Sequence, residues 1–271
     1  LNPVGVFDSG VGGLSTLAAL QAELPTERFV YFADTANAPY GERGDAYVIA
    51  HSRQVVEHLL RAHGIKALVV ACNTATTAAI HVLRAEFPAL PIVGLEPALK
   101  PAVATSRTGH IAVLATRGTL ASARYAALRD SFAGTTTVRP VPCDGLVKAI
   151  EGFDSPTIAV LCARYMAEAG PFGDGPGQVD TVVLGCTHYP LVKDELQRHA
   201  PSTLRFIDTG APVAQQTRRV LTSLSRLADD NSEGGLVLES SGVLAVLEAA
   251  ATRWLPARTQ SAAVPAANAA A

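Results

Sequence analysis

The chain has 271 residues, of which 48% are hydrophobic and 17% charged, and its formal net charge is −2 at pH 7. That length accommodates two units of about 100 to 150 residues, each with its own core. The near-neutral balance gives no electrostatic case for nucleic acid or an anionic membrane, and no apolar run approaches the roughly 18 residues needed to span a bilayer.

The run ending at Phe7 reads as a first strand. Asp8-Ser9-Gly10-Val11-Gly12-Gly13 turns it into a helix with Leu14, Leu17, Leu20 and Leu24 on one side, ended by Pro25. The turn lacks the GxGxxG spacing of a dinucleotide site and the Gly-Lys-Ser/Thr of a P-loop, and an aspartate at its head repels phosphate. It suits the presentation of Asp8 and Ser9 to a small ammonium-bearing ligand. Phe29 to Phe32 reads as the second strand, 33–44 as a polar loop around Pro39-Tyr40-Gly41, and Asp45 as the cap of a long helix. Ala67-Leu68-Val69-Val70 then leads to Cys72-Asn73-Thr74 and a further helical pattern, and Gly94-Leu95-Glu96-Pro97 marks the crossing into a second domain. Strand-like runs follow near 110–115, 135–141 and 179–184, with a Gly/Pro loop at 170–177. A helix over 212–227 returns to the first domain, and the Ala-rich stretch from Pro256 reads as a flexible tail.

Two stretches repeat one device. Ala67 to Thr74 and Thr181 to His188 are each an apolar run ending in a small residue and a cysteine, followed by polar residues. Upstream, Val4 to Ser9 aligns with Ile111 to Thr116, and the cysteines follow 64 residues after Asp8 and 71 after Ala115. The pattern predicts an α/β fold of two pseudo-symmetric, doubly wound domains with parallel sheets, and an active site in the cleft between them at the strand ends. The expected division is 1–96 with 208–255, then 97–207, with 256–271 as the tail. Each cysteine is expected where a buried strand meets a helix N-terminus, where unpaired N–H groups lower a thiol pKa from about 8.5 toward neutrality. Two such thiols suit a reaction that needs a base on each face of a substrate.

Four cysteines without a CxxC pair or a leading basic-then-apolar segment predict free thiols, no structural zinc site and a cytoplasmic location. Cys143 and Cys162, outside the repeat, read as inert. His51, His58, His63, His81 and His199 read as solvated.

Val6-Phe7-Asp8-Ser9-Gly10-Val11-Gly12-Gly13-Leu14, Ala33-Asp34 with Pro39-Tyr40-Gly41, Cys72-Asn73-Thr74-Ala75-Thr76, Glu96-Pro97 and Gly185-Cys186-Thr187-His188-Tyr189-Pro190 occur in this order. Together they resemble the bacterial glutamate racemases of the aspartate/glutamate racemase superfamily. The resemblance implies cofactor-independent, metal-free interconversion of L- and D-glutamate by two thiols, supplying D-glutamate for peptidoglycan. It further implies a cytoplasmic homodimer. Carried over residue by residue, it assigns Cys72 to D-glutamate and Cys186 to L-glutamate. Asp8 falls beside the first thiol and the substrate ammonium, and His188 beside the second. Glu151 falls where the family has a further acid, in a segment lacking the family's usual proline after Cys143. Ser9, Tyr40, Gly41, Asn73, Thr74 and Thr187 match substrate-binding positions, joined by Asp8, His188, Thr116 and Thr119.

The residue types fit that chemistry. An amino-acid α-hydrogen is a very weak acid, so without an electron sink the site must supply preorganised donors and a poorly hydrated base. No lysine lies in the motifs, which disfavours a Schiff base. Two alternatives stay open: a racemase of aspartate or a related acid, and a thiol redox or ligand-binding module in which Cys72 and Cys186 form a reversible disulfide.

Overall fold

A computed structural model of the chain describes residues 2–95, 97–255 and 263–265. Glu96, and most of the tail expected from 256, lie outside the described residues. The chain divides into two compact units, Leu1–Leu95 with Gly210–Ala271, and Glu96–Thr209.

The first unit starts with β1 (Val4–Asp8), α1 (Leu14–Glu23), β2 (Arg28–Ala33), α2 (Asp45–His63), β3 (Ala67–Val70), α3 (Asn73–Glu86) and β4 (Ile92–Gly94). The second holds α4 (Leu99–Thr105), β5 (His110–Ala115), α5 (Arg117–Ala121), α6 (Ala123–Asp130), β6 (Thr137–Pro142), α7 (Leu146–Glu151), α8 (Ser155–Ala169), β7 (Thr181–Leu184), α9 (Lys193–Gln197) and β8 (Arg205–Ile207). The chain then returns through α10 (Gly210–Ser223), β9 (Gly235–Ser240), α11 (Leu244–Trp254) and β10 (Ala263–Pro265). The returning helix is shifted from the expected 212–227, and β9 and α11 have no counterpart in the expected elements. Within the tail region, 263–265 pairs in parallel with β9.

Among the described residues all the strand pairs are parallel. The first sheet runs β10-β9-β2-β1-β3-β4 and the second β6-β5-β7-β8. The β2-β1-β3-β4 portion therefore has the order of the whole second sheet, which is the internal repeat expressed as topology. The register agrees too: Phe7 pairs with Val70, and Leu114 with Leu184. Parallel strands must be covered on both faces, which is why β1, β3 and β7 are buried along their whole length and read as unbroken apolar runs.

Helical periodicity places α2 against its sheet. Val48, Val55, Val56 and Leu59 recur at helical spacing and are all buried, in a core with Phe7, Val30, Leu68, Val70 and Ile80. Burying each such aliphatic side chain contributes about 1.5–3 kcal/mol, so the helix is held by packing. Gly44 occupies the N-cap of α2, and Asp45, expected there, is instead the first helical residue, where its charge favours the dipole without capping a backbone N–H. The second core gathers Leu99, Ile111, Val113, Tyr125 and Val183. Among the described residues no helix is long and apolar enough to cross a membrane.

Candidate active site

Parallel strands all point their carboxyl ends to one edge of the sheet, so the residues just after β1 and β3 are neighbours by construction, as are those after β5 and β7. Ala71 N–H donates to Phe7 O at 2.6 Å, and Gly185 N–H to Leu114 O at 2.7 Å, the same rung in both repeats. One residue further on stand Cys72 and Cys186. Both thiols are buried, at 5% and 7% exposure, and all four cysteines are free.

In the first unit Cys72 is the N-cap of α3, with Sγ accepting from Ala75 N–H at 3.4 Å and 3.5 Å from Ser9 Oγ. Ser9 Oγ donates to Asp8 Oδ1 at 3.2 Å, and Gly13 N–H donates to Asp8 Oδ2. The Gly-rich turn thus folds back on its own aspartate. A Cβ at Gly13 would lie 2.8 Å from both Asp8 Cβ and Tyr31 Oη, so only glycine permits that approach. The expected lowering of the Cys72 pKa is not found. Burial first, and the Asp8 charge second, push the Cys72 thiol up to about 12 against the pull of the Ala75 and Ser9 hydrogen bonds. A single helix terminus does not offset desolvation plus a neighbouring carboxylate.

Around this thiol, Tyr40 is buried and its hydroxyl donates to Asp34 Oδ2 at 2.5 Å. Burial, with that bond to Asp34, pushes the Tyr40 hydroxyl well above its ordinary range, so it stays a neutral phenol. Asp34 also accepts from Asn37 Nδ2 at 2.9 Å and orients the loop, a role that the Ala33-Asp34 motif signalled but sequence reasoning did not assign. Exposed Gly41 faces Thr74, whose Oγ1 would be 3.8 Å from a Cβ there. Asn73 is buried at 6% exposure, and neither amide atom has a hydrogen-bond partner among the described residues. Such an amide costs about 1–3 kcal/mol unless a ligand engages it.

In the second unit the expected helix N-terminus at Cys186 is replaced by a 3-10 turn at Tyr189–Val192, with α9 only beginning at Lys193. Instead of helix N–H groups, the thiol meets an imidazole. Cys186 Sγ lies 3.7 Å from His188 Nδ1, and His188 Nε2 lies 2.6 Å from Glu151 Oε1 at the end of α7. Burial of His188 disfavours its charge, but the contacts with Cys186 and Glu151 prevail and raise its pKa well above the ordinary histidine range. Gly185 admits β5 closely, a Cβ there lying 3.0 Å from Ala115 Cβ. Thr116 caps α5 through Thr119 N–H at 3.3 Å, and the two hydroxyls lie 3.0 Å apart. Thr187 is buried next to Cys186.

The structure thus gathers Asp8, Ser9 and Cys72 in one unit, and Glu151, Cys186 and His188 in the other. Burial raises the thiol pKa values of Cys143 and Cys162 as well. His58 and His63, expected to be solvated, both pair with Glu239.

The Asp/Glu/Hydantoin racemase family matches residues 14–217. A glutamate racemase of Pseudomonas aeruginosa is 49% identical over 227 residues, 83% of each chain. One from Ectopseudomonas mendocina is 49% identical over 228 residues, 83% of this chain and 84% of its own. Among solved structures, a Bacillus anthracis glutamate racemase isoform superposes with a TM-score of 0.83 at 28% identity, covering 98% of this chain and 97% of the other. The Escherichia coli glutamate racemase in complex with L-glutamate and the activator UDP-MurNAc-ala gives 0.81 at 29% identity, covering 98% of each.

Proposed function

The chain belongs to the Asp/Glu/Hydantoin racemase family, and from that premise we propose that it passes the α-proton of glutamate between two opposed thiols, Cys72 and Cys186. It is an amino-acid racemase acting on glutamate, and its D-glutamate serves peptidoglycan synthesis. The observation that supports the two-thiol reading is the repeated placement of a buried cysteine two residues beyond β3 and β7, Cys72 beside the Ser9 hydroxyl and within the field of Asp8, and Cys186 beside the His188 imidazole.

The two partners differ in a way that a two-base reaction requires, since at any moment one thiol must accept a proton and the other must supply one. His188, bonded on Nε2 to Glu151, turns Nδ1 toward Cys186 and is the group placed to take that thiol's proton. The resulting imidazolium is stabilised by the Glu151 carboxylate. Cys72, with a pKa near 12, rests as a thiol and is ready to donate. In this scheme Cys186 removes the α-proton of L-glutamate and Cys72 protonates the opposite face. In the reverse direction the substrate ammonium approaches Asp8 and offsets its charge, which after burial is the second cause of the raised Cys72 pKa, and so favours the thiolate.

Asn73, Thr74, Ser9, Thr187 and the Thr116–Thr119 hydroxyls supply donors for the two carboxylates, while Gly41 leaves room and Tyr40 packs the loop. The free amide of Asn73 supports this assignment most directly. Absence of lysine from the motifs supports a reaction without pyridoxal phosphate. A cytoplasmic homodimer is the state that family membership suggests. The test is racemisation of L-glutamate, L-aspartate and buffer followed by circular dichroism, without added cofactor. The reading predicts loss of signal for glutamate, far slower for aspartate, and unchanged rates on chelation or addition of pyridoxal phosphate. Dependence on pyridoxal phosphate would remove the two-thiol mechanism.

A further inference from the structure

Away from the thiols, the first unit brings two histidines of α2 onto one carboxylate of the returning segment. His58 Nε2 lies 2.8 Å from Glu239 Oε2, and His63 Nε2 lies 2.8 Å from Glu239 Oε1. Glu239 lies 181 positions from His58 and 176 from His63, yet the donor atoms of all three fall within 4.8 Å of one another. Among the described residues no other set of three His, Cys, Asp or Glu side chains converges in this way.

We propose that His58, His63 and Glu239 bind one divalent transition-metal ion of the zinc class, which clips the C-terminal end of α2 to β9. Two imidazole nitrogens and a carboxylate oxygen are the borderline donor set that zinc takes in three-ligand sites, with water completing the tetrahedron. Bonds of about 2.0–2.1 Å at tetrahedral angles hold neighbouring donor atoms about 3.3 Å apart. The present nitrogen–oxygen separations of 2.8 Å run to different oxygens of Glu239 and the three donor groups lie within 4.8 Å of one another, so rotation of the side chains brings them to that spacing. The site is accessible as well as sheltered: side-chain exposures are 27% for His58, 20% for His63 and 14% for Glu239. A cavity of about 330 Å³ lined by Asn2, Arg28, Ala62, Gly235 and Leu236 borders His63.

Protons balance without a leaving group. Both imidazoles now donate Nε2–H to Glu239; on binding, each neutral ring carries its hydrogen on Nδ1 and offers the Nε2 lone pair to the metal. Glu239 exchanges two hydrogen bonds for one metal–oxygen bond, and its charge is better matched by a dication. The packing of His58 on Phe32, ring centroids 5.3 Å apart, holds one ligand in place beforehand. Because His58 and His63 precede the second unit in sequence and Glu239 follows it, the ion fastens the returning segment to the start of the chain.

The experiment is titration of the chelator-treated full chain with Zn²⁺ and, separately, with Co²⁺, beside His58→Gln, His63→Gln and the double variant. The wild type is expected to take up one equivalent of Zn²⁺ saturably, with a rise in Tm that the variants lack. Co²⁺ should give a visible d–d spectrum without the near-ultraviolet charge-transfer band of thiolate coordination. Racemisation by the single variants should remain at the wild-type rate, since neither histidine touches the thiols. Absence of saturable uptake at micromolar ion, uptake that survives the double variant, or a thiolate band would each overturn the proposal. Should the variants fail to fold, diethyl pyrocarbonate footprinting of the wild type decides: Zn²⁺ is expected to protect His58 and His63 but not exposed His81 and His199, and equal modification with and without the ion refutes the site.

Discussion

Glu151→Gln isolates what the carboxylate contributes to the second thiol. Glutamine keeps the length and one carbonyl oxygen for His188 Nε2–H, 2.6 Å away in the parent, but removes the charge that stabilises the imidazolium. A hydrogen bond to a charged partner is worth about 1.5–3 kcal/mol, against about 0.5–1.5 for a neutral one, so the loss is about 1–2 kcal/mol. That corresponds to roughly a 5- to 30-fold slower proton removal by Cys186. The enantiomers are mirror images with an equilibrium constant of unity, so kcat/KM for racemisation must fall equally in both directions and cannot by itself locate the effect. A single-base reaction can. With β-chloroglutamate, elimination of chloride needs only removal of the α-proton, so the L-type substrate reports Cys186 and the D-type reports Cys72. Glu151→Gln should slow elimination from the L-type by that factor and leave the D-type within about twofold. An equal loss from both, or from the D-type alone, would show that Glu151 does not act through His188 on Cys186.

Other perturbations follow from the same geometry. Burial first and the Asp8 charge second raise the Cys72 pKa, and Asp8→Asn removes the second of these; alkylation of Cys72 by iodoacetamide at neutral pH should speed up while racemisation falls at least tenfold, as peptide mapping and circular dichroism would show. His188 has a raised pKa in the folded state, so its stabilisation is complete below about pH 6.5 and is lost as pH rises through the folded value. Urea unfolding should therefore show a gap between wild type and His188→Asn that is wider at pH 6 than at pH 9, and a gap widening with pH would contradict the assignment. Asp180 is buried against its own charge, but donors from Ser106, Arg107 N–H, Thr181 and Thr108 N–H bring its pKa down to about 2. Its stabilisation is present above about pH 4 and lost as pH falls toward 2, and Asp180→Asn should cost about 2 kcal/mol at pH 7 in the same unfolding measurement. Gly13→Ala forces a Cβ into Asp8 and Tyr31 and should lower both stability and activity, whereas unchanged racemisation would show that the turn does not position Asp8.

Much of this was legible because parallel strands are buried on both faces: Val4 to Phe7, Ala67 to Val70 and Thr181 to Leu184 carry an unmistakable apolar signature, and whatever follows them lies at the ligand-binding edge. The internal repeat then sets the two cysteines at equivalent positions. What sequence did not reveal depends on tertiary distance. Glu151 is 37 residues from His188, and nothing local marks their contact at 2.6 Å. The Cys72 pKa runs opposite to the expectation because a helix terminus can be read from sequence, whereas the depth of burial that chiefly raises the thiol cannot. At Cys186 the motif Thr187-His188-Tyr189-Pro190 resembles the start of a helix, but a 3-10 turn over Tyr189–Val192 comes first and α9 begins only at Lys193. Strand β9 went unread because Leu236-Val237-Leu238 is a short run far from the strands it joins, and its pairing with β2 is visible only in the fold.

The most direct test of opposed thiols is elimination from both enantiomers of β-chloroglutamate by Cys72→Ser and Cys186→Ser. Serine is too weakly acidic to replace a thiolate base at neutral pH, so each variant should lose racemisation by several orders of magnitude while keeping the half-reaction of its surviving cysteine. Cys186→Ser is expected to eliminate only from the D-type substrate and Cys72→Ser only from the L-type. If both variants process the same enantiomer, or if either racemises glutamate at near the wild-type rate, Cys72 and Cys186 are not opposed bases.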